Sequence, residues 1–387
     1  MDRDELSAWL RLDLSPHIGN VSARLLLQTF GLPEQVFLQT SAALRDIVSQ
    51  RQADALLHEP AELAALLDTT WQWLEQDPLR HRIIPLGDPL YPQGLLHMED
   101  PPLLLYAMGA LSTWQSSGSA GSASGAMAVV GSRNPTPQGL SNARQFSQSL
   151  AQAGFTIVSG LALGIDGAAH EGALEGAVNG QLATIAVVGT GLDRVYPKQH
   201  RDLAHRIAER GVLLSEYPLG TPPLPNNFPK RNRIIAGLTA GTLVVEAALK
   251  SGSLITAKLA LEQGKDVFAI PGSIHATQAK GCHALIKQGA KLVECAQDIL
   301  EELGTVTPAA NATLSIADDV SSAREFSEFG IDEELLSAIG FDPVGLDALQ
   351  ARTGLDTAHL QAQLMTLELQ SRVARLPGGL FQRLVQS

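Results

Sequence analysis

The sequence predicts an α/β protein. A doubly wound, mostly parallel sheet occupies the middle of the chain, with a helical segment before it and a winged helix after it. Three observations carry that prediction. Between 126 and 272, six apolar runs of four to six residues alternate with helical patterns, as in a parallel sheet buried on both faces. Before them, apolar residues recur at helical spacing. After them come three short helical patterns and two β-like runs around Pro377-Gly378-Gly379, a turn signal.

Taken in order, LSAWLRLDL, VSARLLLQTF, SAALRDIV and AELAALLDTTWQWLE read as helices of an N-terminal domain at 1–80. Segment 14–30 has a Gly-centred turn before an amphipathic helix. That resembles part of a helix-hairpin-helix or sterile-alpha-motif-like (SAM-like) module, although an ordinary bundle turn is the plainer reading. The sheet domain is expected at 81–302. Its strands are AMAVVG (126–131), FTIVSG (155–160), TIAVVG (184–189), VLLSEY (212–217), TLVVEA (242–247) and VFAIPG (267–272). Helices are expected at 137–153, 166–178, 199–210, 231–237 and 253–264. Residues 115–126, QSSGSAGSASGA, cannot pack a core and read as a flexible insertion. Polar residues 303–330 read as a linker to the winged helix at 331–387, with helices near 332–339, 344–352 and 356–370.

The composition bounds the function. The chain has 387 residues, enough for two or three domains, with 45% hydrophobic and 18% charged residues, which excludes a wholly disordered chain. No apolar run is long enough to read as a membrane span. The start, MDRDELSAWLRLDLS, lacks an export-signal core. Cys282 and Cys295 cannot form a disulfide framework, so a reducing cytoplasm is expected. The formal net charge of −12, taken as a single figure, disfavours nucleic acid, whose phosphates attract Lys and Arg. Counted by segment, however, residues 1–126 carry −8, 127–304 carry +2 and 305–387 carry −6. The acidity lies in the flanks.

Four loops at the expected C-terminal edge of the sheet suit an anion. In GSRNPTPQG (131–139), Gly131 allows a sharp turn, Ser132 offers a hydroxyl and an amide, and Arg133 presents a planar fork of donors before a helix start. In SGLALGIDGAAH (159–170), Ser159 and Gly160 end a strand, and Asp166 is expected to cap the next helix rather than act in catalysis. His170, one turn on, reads as structural before it reads as a general base. FPKRNRIIAG (228–237) places Phe228 beside Lys230, Arg231, Asn232 and Arg233. An aromatic ring next to cations suits single-stranded nucleic acid, because bases stack on the ring while cations meet phosphates. On a helix the three cations cannot all point one way, so one or more is expected to pair inside, with Glu216 or Glu246. In KSGSLITAKLA (250–260), Ser253 is placed near an N-cap and Thr256 in the first turn. No metal, nucleophile or dinucleotide motif is present, so binding groups rather than a catalytic set are expected, with no cofactor, no metal and no enzymatic role.

At these residues the sequence resembles the DNA-processing protein A family (DprA, also called Smf). The strings VVGSRNPTPQG, IVSGLALGIDGAAH, TIAVVGTGLDRVYP, LLSEYPLGTPP, FPKRNRIIAGLT, LVVEAALKSGSLITAKLALEQGKDVFAIPGS and GCHALIKQGA run in order over 129–293. YPQGLLHMEDPPLLLYAMG (91–109) also fits. The resemblance implies an extended Rossmann-like fold, single-stranded DNA binding, a homodimer, and loading of the RecA recombinase onto incoming strands in natural transformation. By match to the family's motifs it implies a DNA site of Gly131, Ser132, Arg133, Ser159, Gly160, Phe228, Lys230, Arg231, Asn232, Arg233, Ser253 and Thr256. His283 stands where the family usually has Asn. The third winged-helix segment, 356–370, has no Lys or Arg, so protein contact is expected of it rather than tight duplex binding. Two rivals remain. One is a phosphoribohydrolase-like nucleotide-processing enzyme using Glu246, although the usual Gly-Gly before Gly241-Thr242 is missing. The other is a structural adaptor acting through the winged helix.

Overall fold

The computed structural model describes residues 1–116, 125–304 and 335–384. Most of the expected insertion and linker, and the start of the first winged-helix segment, lie outside the described residues. The chain opens with six helices: α1 (Arg3–Leu14), α2 (Asn20–Phe30), α3 (Pro33–Phe37), α4 (Ser41–Arg45), α5 (Gln50–Leu56) and α6 (Leu63–Gln76). Asp2 caps α1 by accepting from Glu5 N, and Ser49 with Gln52 forms a capping box on α5. The turn before α2 places His17 at φ 68° and ends on Gly19 as N-cap.

Next come β1 (His81–Pro85), α7 (Gln93–Leu96), β2 (Leu104–Gly109) and α8 (Leu111–Ser116). The alternating region follows as β3 (Ala126–Val130), α9 (Pro137–Gln152), β4 (Thr156–Ser159), α10 (Ile165–Gly176), β5 (Thr184–Val187), α11 (Arg201–Arg210) and β6 (Val212–Ser215). It continues through α12 (Asn227–Gly237), β7 (Gly241–Val244), α13 (Ser253–Glu262), β8 (Asp266–Ala269), α14 (Lys280–Lys287), β9 (Lys291–Leu292) and α15 (Ala296–Glu302). Nine strands form one sheet in the order β1-β2-β6-β5-β4-β3-β7-β8-β9. The strands from β6 to β9 are parallel, and β2 and β1 run antiparallel at one edge. Each expected strand of the middle region is present. The antiparallel pair β1 and β2 is a finding of the structure.

Successive residues of β3 enter opposite cores. Ala128 and Val130 pack on the face covered by Ile234 and Ile235 of α12, Ala257 of α13 and Leu285 of α14. Met127 and Val129 pack on the face covered by α9, α10 and α15. That alternation, with every β3 residue buried, is why the strand reads as an unbroken apolar run. The N-terminal helices join the second face farther along: Trp9 of α1 and Trp73 of α6 share a core with Tyr106 of β2 and Leu213 of β6.

The winged helix has a helical stretch at 335–339, then β10 (Val344–Gly345), α16 (Leu346–Thr353), α17 (Thr357–Leu369), β11 (Val373–Leu376) and β12 (Leu380–Arg383). Its three strands pair in the order β10-β12-β11. On α17, Met365 and Leu369 are exposed.

Two features give stability predictions. Gly172 and Gly176 let α10 lie directly on α9, and a Cβ at either would overlap the carbonyl oxygen of Arg144 or Gln148. We expect Gly176→Ala to cost about 1–3 kcal/mol, since a packed backbone cannot yield, read as a lower urea midpoint. Gly252→Ala, which meets nothing within 4 Å, should leave the midpoint nearly unchanged. His170 of α10 is fully buried, its Nδ1 is 2.7 Å from Thr184 Oγ1, and burial pushes its pKa from 6.5 to about 3. The unfolded chain therefore takes up this proton where the folded chain refuses it. The stability it contributes is complete above pH 6.5 and is lost as pH falls toward 3. The urea midpoint should drop less between pH 7 and pH 5 in His170→Gln than in the parent, and equal drops would refute this origin of acid sensitivity.

Candidate functional site

From β3 the chain steps outward through β4, β5 and β6, then returns across β3 to β7. In such sheets the loops at the reversal diverge and leave a crevice at the C-terminal strand ends. Here the crevice is stitched. Thr136 caps α9 by accepting from Gly139 N at 3.0 Å, while Glu246, after β7, accepts from Thr136 N at 2.9 Å and from Thr136 Oγ1 at 2.6 Å. The anion at the start of α9 is the protein's own carboxylate, which corrects the expectation of a vacant phosphate seat there. Burial raises the Glu246 pKa. The carboxylate on which a nucleotide-hydrolase reading depends is thereby engaged, and it does not pair with the cations of α12.

The loop after β4 is tied in the same manner. Asp166 accepts from Gly160 N at 3.2 Å and Ala162 N at 3.3 Å, while the N-cap of α10 is Gly164 at φ 82°. Asp166 therefore braces the loop instead of capping the helix. His170 faces Thr184, not Asp166. Ser159 is fully buried, and its Oγ donates to Val129 O at 2.7 Å.

Helix α12 begins at Asn227, earlier than expected, because Pro229 sits in its first turn, where no intrahelical donor is needed. Its cations then divide. Arg231 is 3% exposed, and its Nη1 donates to Val187 O at the end of β5. Its guanidinium fills the space under Gly160, where any Cβ would overlap it. Burial pulls the Arg231 pKa down to about 10, and Asp166 opposes that shift. Arg233 is also buried and pairs with Glu216 and, through Nε at 2.9 Å, with Asp100. Lys230 remains exposed, with Nζ 3.7 Å from Glu216 and 5.8 Å from the Tyr217 ring. Asn232 is half-buried and donates to Gly252 O at 3.3 Å. Thr256 is buried in α13, and Ser253 is its first helical residue, after Gly252 as N-cap.

The site thus has two layers. Ser159, Gly160, Arg231, Arg233, Ser253 and Thr256 lie in the buried layer. Arg133, Phe228, Lys230 and Asn232 reach the surface, together with Ser132, whose Oγ accepts from Asn134 N at 3.1 Å. Gly131 lies beside them, where a Cβ would stand 2.7 Å from Ile165 and 2.9 Å from Glu246 O. The Arg133 guanidinium is 5.6 Å from the Phe228 ring centre. A second ring, unforeseen from the sequence, completes the surface: Tyr196, 46% exposed, lies 5.5 Å from Phe228. The available signal was a repeated tripeptide, since Tyr196-Pro197-Lys198 and Phe228-Pro229-Lys230 both place an aromatic two residues before a lysine. Asn227 fixes the second copy by donating to Gly189 O at 3.1 Å. His283 is elsewhere, with Nε2 2.9 Å from Gly272 O after β8. Among the described residues no His, Cys, Asp and Glu group could hold a metal ion. Cys282 is buried, and burial pushes its thiol up to about 12.

The profile of the family described as DNA recombination-mediator protein A matches residues 82–304, and that of the DprA winged helix domain matches 330–379. Protein Smf of Escherichia coli (strain K12) is 39% identical over 377 residues, covering 96% of this chain and 94% of that protein. DNA processing protein DprA of Streptococcus pneumoniae is 48% identical over 215 residues, covering 56% of this chain and 72% of that protein. The X-ray structure of DNA processing protein A from Streptococcus pneumoniae superposes with a TM-score of 0.64 at 37% identity, covering 78% of this chain and 98% of that one. A sheet reversed at β3, a helix that splits its cations between floor and surface, and matches along almost the whole length lead to one conclusion: the chain belongs to the DNA recombination-mediator protein A family.

Proposed function

We propose that the chain binds single-stranded DNA at the Phe228–Tyr196 rings and passes it to the RecA recombinase, as a recombination mediator in natural transformation and not as an enzyme. The observation that supports this most directly is the ring pair flanked by Arg133 and Lys230. Unstacked bases lie on aromatic faces while phosphates meet exposed cations. A duplex hides its base faces, so the rings favour a single strand. The buried layer serves the same end: Arg231 holds Gly160 and the end of β5 in place, and Ser159, Arg233, Ser253 and Thr256 shape the ground beneath. RecA as partner, a homodimer, a cytoplasmic setting and the division at 1–80, 81–302, 303–330 and 331–387 complete the proposal.

Anisotropy with labelled single- and double-stranded oligonucleotides tests it. Phe228→Ala should weaken single-strand binding by about 1–3 kcal/mol, the stacking energy of one base. Arg133→Ala should weaken binding while leaving thermal stability alone. Arg231→Ala should instead destabilise the fold by about 3–5 kcal/mol, because it strands Asp166 in the interior. Single-strand affinity should fall as salt rises, through counterion release. Parent-like affinity in both Phe228→Ala and Arg133→Ala would discard the site. RecA nucleation on a single strand should quicken with the parent protein and not with Phe228→Ala.

A further inference from the structure

We infer that the strand leaving the rings continues along a second, separate surface, a cationic groove on α11. This rests on the single-strand reading above. The groove has a volume of about 650 Å³ and lies between α11, β2 and the loop after β5. Arg194, Lys198, Arg201 and His205 line it together with one carboxylate, Asp193, and all five are exposed. Arg194 pairs with Asp193 at 2.8 Å. Lys198, Arg201 and His205 form no ion pair among the described residues. With Asp193 balanced by Arg194, the groove keeps two cations, Lys198 and Arg201, free of carboxylates, beside the imidazole of His205.

The shape fits an extended polyanion with apolar faces. Arg201, Ala204, His205 and Ala208 share one face of α11, at i, i+3, i+4 and i+7. The alanines keep the floor low and apolar, and the two larger side chains stand on it one helical turn apart. Met108, Leu192 and Val195 extend that floor. Phosphates can follow the cations while sugars and bases rest on the floor.

A single short loop joins the groove to the rings. Tyr196 meets Phe228 on one side, while its neighbours Val195 and Lys198 line the groove on the other. That loop is clamped. Gly191 N donates to Thr221 O at 3.1 Å, Gly220 N donates to Asp193 Oδ1 at 2.8 Å, and His200 Nδ1 is 3.0 Å from Leu161 O. The two surfaces are therefore held in fixed relation.

The test uses the full chain, the double variant Arg201→Gln/His205→Gln, and oligothymidylates of about 6 and about 20 nucleotides, spanning the length held by small single-strand sites. Affinity for the short oligonucleotide should stay within about two-fold, and affinity for the long one should fall about five-fold. The salt slope on the long one should shrink by about 0.7 for each phosphate that the variant no longer neutralises. Equal losses on both lengths, or none on the long one, would overturn the groove. So would polyglutamate binding that the double variant abolishes while long-oligonucleotide binding stays intact, since that outcome assigns the groove to an acidic protein segment. Parent protein that holds neither oligonucleotide would overturn the ring site as well, a result distinct from failure of the groove alone.

Discussion

A cation is buried beneath the sheet edge, and the site is arranged around it. Removing a guanidinium from water costs several kcal/mol unless acceptors and countercharge are supplied. Arg231 finds Val187 O at the end of β5, and Asp166 as electrostatic partner. Each of these imposes a further requirement. Asp166 is itself buried, and burial pushes its carboxyl up while Arg231 and the amides of Gly160 and Ala162 pull it back. Those amides fix the loop after β4. Gly160 must lack a side chain, since the guanidinium fills that space. One buried charge thus sets the loop after β4, the end of β5 and the angle at which α12 presents Phe228 and Lys230.

The parallel part of the fold was legible because strands buried on both faces show it as uninterrupted apolar runs. The edge strands β1 and β2 were not read, because their antiparallel pairing is set by contacts with β6 and the N-terminal helices that no local pattern encodes. Within the site, residue type was legible and side-chain direction was not. A Ser after a strand suits an anion equally well whether its hydroxyl faces solvent or, as Ser159 does, a neighbouring strand's carbonyl. The cations of FPKRNR were expected to divide, and the division follows helix geometry, with Arg231 turned to the sheet and Arg233 to Glu216. Asp166 and Glu246 escaped because a carboxylate's partners here are backbone amides far along the chain or in a loop with no regular pattern.

The acidic flank bears on the site more closely than its sequence position suggests. Asp13 of α1 is pushed up to about 6, by burial and by repulsion from Glu216, against the pull of Lys230. The first helix therefore brings a carboxylate within electrostatic reach of the exposed lysine of α12. At the other end, α17 turns Met365 and Leu369 outward and carries no Lys or Arg. Charge is thus divided along the chain: the flanks hold the acidity, and the central segment carries a slight positive balance.

The two aromatic-Pro-Lys tripeptides follow β5 and β6, which are neighbours in the sheet. The two rings are 5.5 Å apart, an ordinary distance for an aromatic pair, yet each stands well beyond the end of its strand, Tyr196 after Val187 and Phe228 after Ser215. Their meeting is set by loop anchors: Asn227 donates to Gly189 O, and Gly220 N donates to Asp193 Oδ1. Exchanging one ring for another aromatic leaves those anchors in place. Adding or deleting a residue between anchor and ring moves the ring off its partner, so in this architecture loop length is a stricter constraint than side-chain identity.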